Sequence, residues 1–387
     1  MAYRNKGNIV GNNMKNEEKD KVILFERGSF EVGAIKEPTT QILRLLTSMT
    51  VGSKGAQYLL KNIGERMVQM GSKYIMYMTQ KGKTISTYTA DLRTTDEDFG
   101  QVNAYYIRYF AFSDNVQASN EQQESKNKPD GIFKSLVKRF LSKSPATFGI
   151  NHGENPDLPS FYYAFFDAEN FRSTDLSKLM GLYPVGEFDT FSFTRMSPKR
   201  HKKVEKLEKV HYHSMKDKVR NFYSDFSVYN DHFMFVNDAY YVWKEDGVVV
   251  AGLQANKCNW EIKKMSGLNG FFMLNILPYL PIVRNYFNPK KFDFLTYDFV
   301  YVKPGYEDKL PLLMETLMQQ HEVTFSLIWQ DVKSPLHAMF AAMDLGFLSN
   351  FSNVPTGKIM MTTNRVSEDQ LNDIVKKPMF TCAMDMS

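Results

Sequence analysis

Two apolar runs of the sequence each carry one charged side chain among the side chains at alternate positions. Each run is expected to form a strand, in which alternate side chains share a face. On the first run these side chains are Tyr106, Arg108, Phe110 and Phe112. On the second they are Thr296, Asp298, Val300 and Val302. A carboxylate can accept a proton from a substrate, and a guanidinium can bind a carboxylate or a phosphate. The structural alternatives are an Asp298 neutralised by a nearby base and an Arg108 held in an ion pair.

Further carboxylates lie where the predicted strands end. Asp167 and Glu169 close the run SFYYAFFDAEN, and Asp331 closes EVTFSLIWQD. Carboxylates at strand ends often cap the next helix, which is the expected role of these three. Asp91 and Arg93, in TADLRTTDED, end a predicted hairpin and could face an acceptor substrate. A salt bridge within a loop is the alternative for this pair.

The segment Ser197–Arg220 contains nine Lys or Arg, three His and three acidic residues. This composition is typical of a solvated linker helix; contact with an acidic partner or a nucleotide phosphate is the alternative. His211 and His213 have no acidic partner at metal spacing, so no metal is predicted. Nucleophile-elbow, Walker, H-E-x-x-H and dinucleotide motifs do not occur in a suitable context, which argues against hydrolase, NTPase and dehydrogenase activities.

Composition indicates a cytoplasmic protein of two domains. The 387 residues are 43% hydrophobic, enough for domains of roughly 150–200 residues each. A net charge of +5 is mild for a dedicated nucleic-acid binder. Cys258 and Cys382 lack CxxC spacing, which fits a reducing compartment. The most apolar stretch, Gly270–Val283, is shorter than the about 20 residues of a membrane span and predicts a broken core helix.

The same hairpin occurs twice, each time after a helical pattern. The first copy follows Pro38–Met49, whose helical pattern continues to Gly71, and consists of Lys73–Gln80, a turn at Gly82 and Thr84–Asp91. The second follows Val219–Tyr229 and consists of Ala239–Glu245, the turn Asp246-Gly247 and Val248–Lys257. Glycine in each turn supplies the positive φ that short hairpins require.

The elements after each hairpin also repeat in one order. A long strand, a helix, a second strand, a short helix ending in Gly and a closing pair of strands are predicted in both halves. Gly82 and Gly247 are 165 positions apart, as are Gly181 and Gly346. Two landmarks with one offset, in the same order of elements, indicate an internal duplication.

This order of elements resembles the GNAT acyltransferase fold in tandem. The stretch VYVKPGYEDKLPLLMETLM, Val300–Met318, is similar to the family's strand, phosphate-binding turn and helix. MFAAMDLGF and, less closely, LSKLMGL are similar to its helix ending in Gly-Phe. The resemblance implies an α/β protein of two tandem GNAT-like units, each a twisted mixed β-sheet flanked by helices.

The turns that would hold acyl-CoA depart from the family pattern. The second unit has Gly305, Tyr306, Glu307 and Asp308 there, which places two carboxylates where a polyanion would bind. The first unit has a long polar loop ending at Gly131, but the helix that starts at Gly131 and carries Lys134 could receive a phosphate.

The resemblance also implies roles for particular residues. Asp298 would be the general base. The Tyr that usually acts as general acid in the family is replaced by Ser177 in the first unit and by Ala342 in the second. Asn170 matches the Asn that often begins that helix. Acyl-CoA would contact Phe110, Phe112, Gly131, Lys134, Val300 and Val302. The acceptor would contact Arg108, Tyr106, Asp91 and Arg93.

The resulting hypothesis is an N-acyltransferase that uses acyl-CoA as co-substrate and a small amine or peptide as acceptor, with neither nucleic acid nor metal. The apolar stretch Phe271–Val283 could line an acyl-chain groove. A catalytically inactive pair of such units, used for binding or scaffolding, is the alternative. The expected organisation is a disordered lead-in at residues 1–20, domains at 21–196 and 219–387, and a basic linker at 197–218.

Overall fold

The computed structural model describes residues 21–386, apart from 53–55, 114–134, 136, 151–152, 171–173, 176, 179, 266, 277–278, 280–286 and 347–354. The predicted lead-in, Gly131 and Lys134 lie outside the described residues.

Fifteen strands are present in the described residues. The first nine are β1 Val22–Arg27, β2 Phe30–Ile35, β3 Val51–Gly52, β4 Ala56–Leu60, β5 Lys73–Gln80, β6 Lys83–Glu97, β7 Gly100–Phe112, β8 Ser160–Asp167 and β9 Tyr183–Thr194. The remaining six are β10 Val204–Lys206, β11 Tyr240–Glu245, β12 Val248–Met265, β13 Phe292–Val302, β14 Phe325–Asp331 and β15 Thr356–Asn364.

The helices described over their full length are α1 Thr40–Ser48, α2 Ile63–Gln69, α3 Tyr212–Phe222, α4 Gly267–Asn275, α5 Lys309–Gln320, α6 Pro335–Ala342 and α7 Glu368–Lys376. Polar residues begin several of them, as N-capping requires. Thr39 accepts the Ile42 N–H at α1, and Ser334 accepts the Leu336 N–H at α6. Ser367 and Gln370 form a capping box at α7.

All fifteen strands belong to one mixed sheet that runs through both halves of the chain. Its order is β1-β2-β5-β6-β7-β8-β15-β9-β14-β13-β12-β11-β10, with β4 paired to β12 and β3 to β4. Helices flank this sheet, and the largest apolar cluster contains side chains from both halves. The predicted α/β class, a mixed sheet flanked by helices, is therefore confirmed.

The two halves exchange their closing strands. Strand β15, from the second half, lies between β8 and β9 of the first half, and β9 pairs on its other side with β14 of the second half. The expected closing pair of strands in each unit is therefore wrong, because each half supplies a single long strand to the centre of the sheet. The boundary between the units runs through interleaved strands.

Both repeated hairpins are confirmed, and their turns have the same backbone geometry. Lys81 and Gly82 have φ of 51° and 72°, and Asp246 and Gly247 have φ of 48° and 78°. Two consecutive residues with positive φ give a turn whose twist matches that of the strands. The second strands, β6 and β12, extend beyond their predicted ends because further strands pair with them.

Three segments differ from the sequence-based expectation. The helical pattern expected up to Gly71 is interrupted by β3 and β4, because β4 pairs with β12 of the second half. The basic segment Ser197–Arg220 is a short strand, β10, followed by the start of α3, rather than a continuous solvated helix. Of the predicted core helix at Gly270–Val283, residues 270–275 belong to α4, in which Phe271 and Phe272 are 56% and 48% exposed, and residues 277–278 and 280–283 lie outside the described residues.

Candidate functional site

In each half, two neighbouring parallel strands separate part way along their length. Residues Asn103–Tyr106 of β7 pair with Ser160–Tyr163 of β8. Both strands continue beyond this stretch without pairing to each other. Strands β13 and β14 pair only at Leu295 and Thr296. Beyond these points the facing backbone edges are not joined to each other within the described residues. Each half therefore contains a splay, which we name the first splay (β7–β8) and the second splay (β13–β14).

A β-bulge interrupts the long strand at each splay. Tyr109 in β7 and Phe299 in β13 have φ of 55° and 50°, and the register with the preceding hairpin strand shifts at both places. Positive φ is rare for aromatic residues inside strands. Its recurrence at equivalent points of both units supports the inferred duplication.

The bulge changes which side chains of β7 share a face. Tyr106 packs with Val102 and Ala104, whereas Phe110 packs in the other cluster, with Tyr105. An extra residue in a strand shifts its alternation by one. The expectation that Tyr106, Arg108, Phe110 and Phe112 share one face is therefore wrong. The bulge at Phe299 lies between Asp298 and Val300, so it interrupts the alternation of Thr296, Asp298, Val300 and Val302 at the same point.

The second splay is filled by the last described residues of the chain. The backbone N–H groups of Ala383 and Met384 donate to the Asp298 carboxylate on β13. On the other side of the splay, Thr381 Oγ1 donates to the carbonyl of Trp329 on β14 at 3.0 Å. We name residues 379–386 the C-terminal plug. It lies between β13 and β14, where the two strands no longer pair.

Asp298, the predicted base, is 3% exposed and lies beneath this plug. Besides the two plug N–H groups, its Oδ2 accepts a hydrogen bond from Asn256 Nδ2 at 3.0 Å. Burial, followed by the negative charge of Asp385, raises the pKa of Asp298 to about 6. Its partners are thus hydrogen-bond donors, rather than the basic side chain that the structural alternative proposed.

Asp331 holds the start of the plug. Its carboxylate accepts the backbone N–H groups of Lys333 at 2.7 Å and Met379 at 3.1 Å. Burial raises the pKa of Asp331, and the two N–H donors oppose this shift. Ser334, and not Asp331, caps α6. The helix-capping role expected for Asp331 is therefore wrong. Its Oδ2 accepts the N–H of Met379 in the plug.

A buried ion cluster joins the plug to the first unit. Arg93 donates to both carboxylate oxygens of Asp385, at 2.7 and 2.6 Å, and to Asp91 at 3.0 Å. Arg108 Nη1 lies 3.5 Å from Asp385. The Arg93 guanidinium also stacks on Tyr106, with its Cζ 4.4 Å from the ring centroid. Burial opposes the charge of Arg93, but Asp385, Tyr163 and Asp91 together outweigh it, so the pKa of Arg93 lies above its usual value.

The structure brings Arg108, Tyr106, Asp91 and Arg93 together, but at the interface of the two halves rather than in a loop. Asp91 lies opposite Tyr106, and Tyr106 opposite Tyr163, across three neighbouring strands. Tyr106 and Tyr163 are the last paired residues of β7 and β8. The cluster is therefore level with the point where the first splay opens.

His232 is a member of this site that sequence reasoning missed. Its Nε2 lies 3.7 Å from Asp91 Oδ1, and its side chain is 25% exposed, whereas the Asp91 side chain is fully buried. Burial lowers the pKa of His232, and the nearby Asp91 only partly offsets this. No motif surrounds His232 in the sequence, since only the tertiary fold brings it to a residue 141 positions earlier.

Ser177 and Asn170 lie beyond the end of β8. The Ser177 hydroxyl is fully buried and donates to the Thr174 carbonyl at 2.7 Å. The backbone carbonyl of Asn170 accepts hydrogen bonds from the N–H and hydroxyl of Thr174. Asp167 accepts the N–H of Glu169. These residues organise the turn after β8, and the ion cluster around Arg93 does not include them.

The remaining predicted cofactor contacts lie on the two long strands. Phe110 and Phe112 are half-buried against the cluster that contains Tyr105, and Val300 and Val302 are buried. In the turn after β13, Glu307 Oε1 accepts the N–H of Gly305 at 3.0 Å. A phosphate bound to this turn would need that backbone donor, so the carboxylate of Glu307 competes with it.

The described part of the chain contains no helix long and apolar enough to cross a membrane. Within the same residues, no group of three or more His, Cys, Asp or Glu side chains is arranged to hold a metal ion.

Solved structures share this architecture. Saccharomyces cerevisiae N-myristoyltransferase with bound myristoyl-CoA matches with a TM-score of 0.54 at 11% identity, covering 92% of this chain and 89% of that chain. The same enzyme with myristoyl-CoA and inhibitors matches with a TM-score of 0.54 at 12% identity, covering 92% and 86%. A GCN5-related N-acetyltransferase from Sphaerobacter thermophilus gives 0.47 at 10% identity, over 88% and 97%. No protein-family model matches the chain, and no curated protein matches its sequence.

The chain therefore has the tandem GNAT fold, as the resemblance in its sequence implied. At these identities the likeness defines the fold, and the activity has to be argued from the site itself.

Proposed function

We propose that this chain is an acyl-CoA-dependent N-acyltransferase in which the first splay holds the acyl-CoA. One observation carries the proposal: the protein has two splays, and its own C-terminal plug occupies the second. That N-myristoyltransferases of the same fold have been solved with myristoyl-CoA bound supports the choice of donor.

The facing edges of the first splay suit the pantetheine arm of CoA. Backbone N–H and C=O groups need partners when they are buried, and an extended ligand with amide groups can supply them as an added strand would. Pairing of β7 with β8 ends at Tyr106 and Tyr163, so such an arm would enter beyond these residues. The aromatic rings of Tyr106 and Phe165, 5.4 Å apart, give this region an apolar lining.

In the proposed reaction, the amine nitrogen attacks the thioester carbonyl carbon and the C–S bond breaks. The amine loses one proton to a protein base, and the CoA sulfur leaves as a thiolate that takes up a proton. Backbone N–H groups at the bulge around Phe110 are assigned to the oxyanion, since preorganised donors at that position lower the barrier.

We assign the base to His232 in preference to Asp298. A base must reach the amine directly or through one water. His232 is partly exposed, and its lowered pKa keeps the imidazole neutral near pH 7. Asp298 has a suitable pKa of about 6, but both of its oxygens are engaged with the plug and Asn256. The role of Asp298 as the base remains a prediction. Mutation of each residue in turn separates His232 from Asp298 as the base.

Hydrogen exchange with and without ligand tests the binding mode. Mass spectrometry would follow the backbone amides of β7 and β8 beyond Tyr106 and Tyr163, and those of β13 and β14 beyond Thr296 and Leu327. Acyl-CoA is expected to slow exchange in the first pair and leave the second pair unchanged. Protection of the second pair alone would overturn the assignment of the donor to the first splay.

His232→Gln tests the base. The variant is expected to bind acyl-CoA as the wild type does and to lose about 10²–10⁴-fold in CoA release with a panel of amines, measured by thiol titration. Asp298→Asn is the comparison. If Asp298→Asn loses transfer while His232→Gln keeps it, Asp298 is the base.

The alternative, an inactive binding protein, is favoured by one observation. The Ser177 hydroxyl, at the position of the family's proton donor, is fully buried and bonded to Thr174. Thermal-shift titration with CoA, acetyl-CoA and a long-chain acyl-CoA separates the two functions. No stabilisation by any of them at saturation would leave the transferase without its donor and favour the alternative.

A further inference from the structure

An exposed aromatic surface lies at one end of the sheet, where β12 extends past its neighbours. On α4, which follows β12, Phe271 and Phe272 are 56% and 48% exposed, and Tyr279 just beyond is 79% exposed. The helix has a fixed position, because Leu274 packs against the core. Gly270 lies so close to Met265 that an added Cβ would be 2.5 Å from its carbonyl carbon. The large apolar side chains of this surface are therefore held outward.

Six lysines lie on the segments that adjoin α4. They are Lys61, directly after β4, Lys257, Lys263 and Lys264 on β12, and Lys290 and Lys291 on the segment before β13. The carboxylates on the same stretches are Glu261, which pairs with Lys61 and Lys263, and Asp293, which is 3.6 Å from Lys257 and 3.9 Å from Lys291. Six lysines against two carboxylates leave this end strongly positive.

Backbone and ring contacts bring these segments to one place. The β4 strand pairs with β12 from Trp260 to Met265, and the Tyr58 and Trp260 rings stack at 3.7 Å. On the other side of β12, the Ile262 N–H donates to the Pro289 carbonyl at 2.7 Å, next to Lys290. We name this region the lysine-aromatic end: Lys61, residues 257–265, 267–276, Tyr279 and residues 287–293.

We propose that the lysine-aromatic end docks on an anionic lipid surface. Aromatic side chains are favoured at the boundary between headgroups and acyl chains, where rings meet an apolar and a wet layer. Lysines beside them are attracted by the negative potential of anionic headgroups. A nucleic acid would match the charge but not the exposed Phe271 and Phe272. The proposal concerns the surface alone and is independent of the transferase activity.

The test is co-sedimentation of the full chain with vesicles of about 30% phosphatidylserine in phosphatidylcholine, at low salt. Vesicles of phosphatidylcholine alone are the reference. The wild type is expected to bind the anionic vesicles at least about tenfold more tightly, with binding that weakens as salt is added. Equal binding to both vesicles, or binding to neither, overturns the proposal.

Two double variants locate the surface. Phe271→Ser with Phe272→Ser, and Lys264→Glu with Lys290→Glu, are each expected to weaken binding about tenfold or more. Matched controls change exposed residues elsewhere: Val68→Ser with Val210→Ser, both 77% exposed, and Lys202→Glu with Lys218→Glu. The controls are expected to stay within about twofold of the wild type.

Two results would contradict the assignment. If the controls weaken vesicle binding as much as the surface variants, the attraction is general and this end is not special. The second result is a wild type that does not bind vesicles but self-associates, with a Phe271 and Phe272 variant that is monomeric by light scattering. In that case the surface is an interface between copies of this chain. Thermal unfolding of each variant confirms that the comparison is made between folded proteins.

Discussion

Buried carboxylates in this protein are neutralised in two different ways. Asp298 and Asp331 accept backbone N–H groups of the C-terminal plug, whereas Asp91 and Asp385 pair with Arg93. Hydrogen bonds from neutral donors offset only part of the cost of burying a charged carboxylate, so the pKa rises. An adjacent cation stabilises the charged form and lowers the pKa. Burial therefore raises the pKa of both Asp298 and Asp331, and Asp298, with a pKa of about 6, should respond to pH in the mildly acidic range.

The contribution of Asp298 to the stability of the protein should fall as pH rises from about 4 to about 6. The pKa of this carboxyl is raised to about 6 in the folded protein, against about 4 in an unfolded chain. The folded state therefore holds this proton over that window, and its stabilising effect of up to about 3 kcal/mol is lost as the carboxyl ionises. Asp298→Asn removes the titration.

Denaturant unfolding of wild type and Asp298→Asn at several pH values measures the effect. The difference in free energy of unfolding should shift in favour of the variant as pH rises. Comparing the two proteins isolates Asp298 from Glu97 and Asp331, whose pKa values are also raised by burial. Parallel curves would show that Asp298 does not titrate in this range.

Arg93→Met should lower the free energy of unfolding by about 3–5 kcal/mol, because it leaves Asp385 buried without its main cation. Arg93 is 2% exposed and makes two short hydrogen bonds to Asp385. Lys376→Met is the matched control, since Lys376 pairs with Asp373 at 3.5 Å on the surface. That change should cost less than about 1 kcal/mol. If denaturant unfolding shows similar losses of stability for the two variants, the buried pair contributes no more than the surface pair.

At the scale of elements, bulges and left-handed turns shape the two splays. Positive φ at Tyr109 and at Phe299 marks the point where the ladder between the long strand and its hairpin partner shifts register in each unit. Gly346, beyond α6, also has positive φ, 93°, and lies against β9. An added Cβ there would be 2.1 Å from the Thr194 carbonyl oxygen. This glycine is therefore required for close packing as well as for its backbone conformation.

Gly346→Ala and Gly305→Ala separate these two requirements. Gly305 has φ of 85° with no atom within 4 Å of an added Cβ, so its substitution costs about 1–2 kcal/mol from the backbone alone. Gly346→Ala adds the collision with β9 and should cost about 2–3 kcal/mol more. Denaturant unfolding of both variants gives the difference. Equal losses would mean that the strand moves aside freely.

For the whole molecule, the exchange of closing strands makes the halves interdependent. Both neighbours of β9 belong to the second half, and β8 has β15 as its partner beyond the first splay. A chain cut after Met196 retains β8 and β9 but leaves β15 and β14 in the other piece. Sheet edges left open in this way lose their hydrogen bonds and expose apolar surface.

Residues 21–196 alone should therefore not unfold cooperatively. Circular dichroism on heating would show a broad transition for this fragment, and joint expression with residues 197–387 should restore a single sharp one. A separately expressed fragment with a sharp transition and native-like near-ultraviolet signal would contradict this expectation. The predicted domain limits can be tested by the same fragments.

The sequence by itself determined the local elements and their order. The glycines at positions 82 and 247 specify the two hairpins, and the matching patterns after them indicated the tandem fold, because turn geometry and periodicity depend on near neighbours. The exchange of β9 and β15, the filling of the second splay by the plug and the meeting of His232 with Asp91 depended on the tertiary structure. The plug contacts span 48 to 86 positions of the chain, and His232 lies 141 positions from Asp91. No local pattern encodes which distant backbone donor reaches a buried carboxylate.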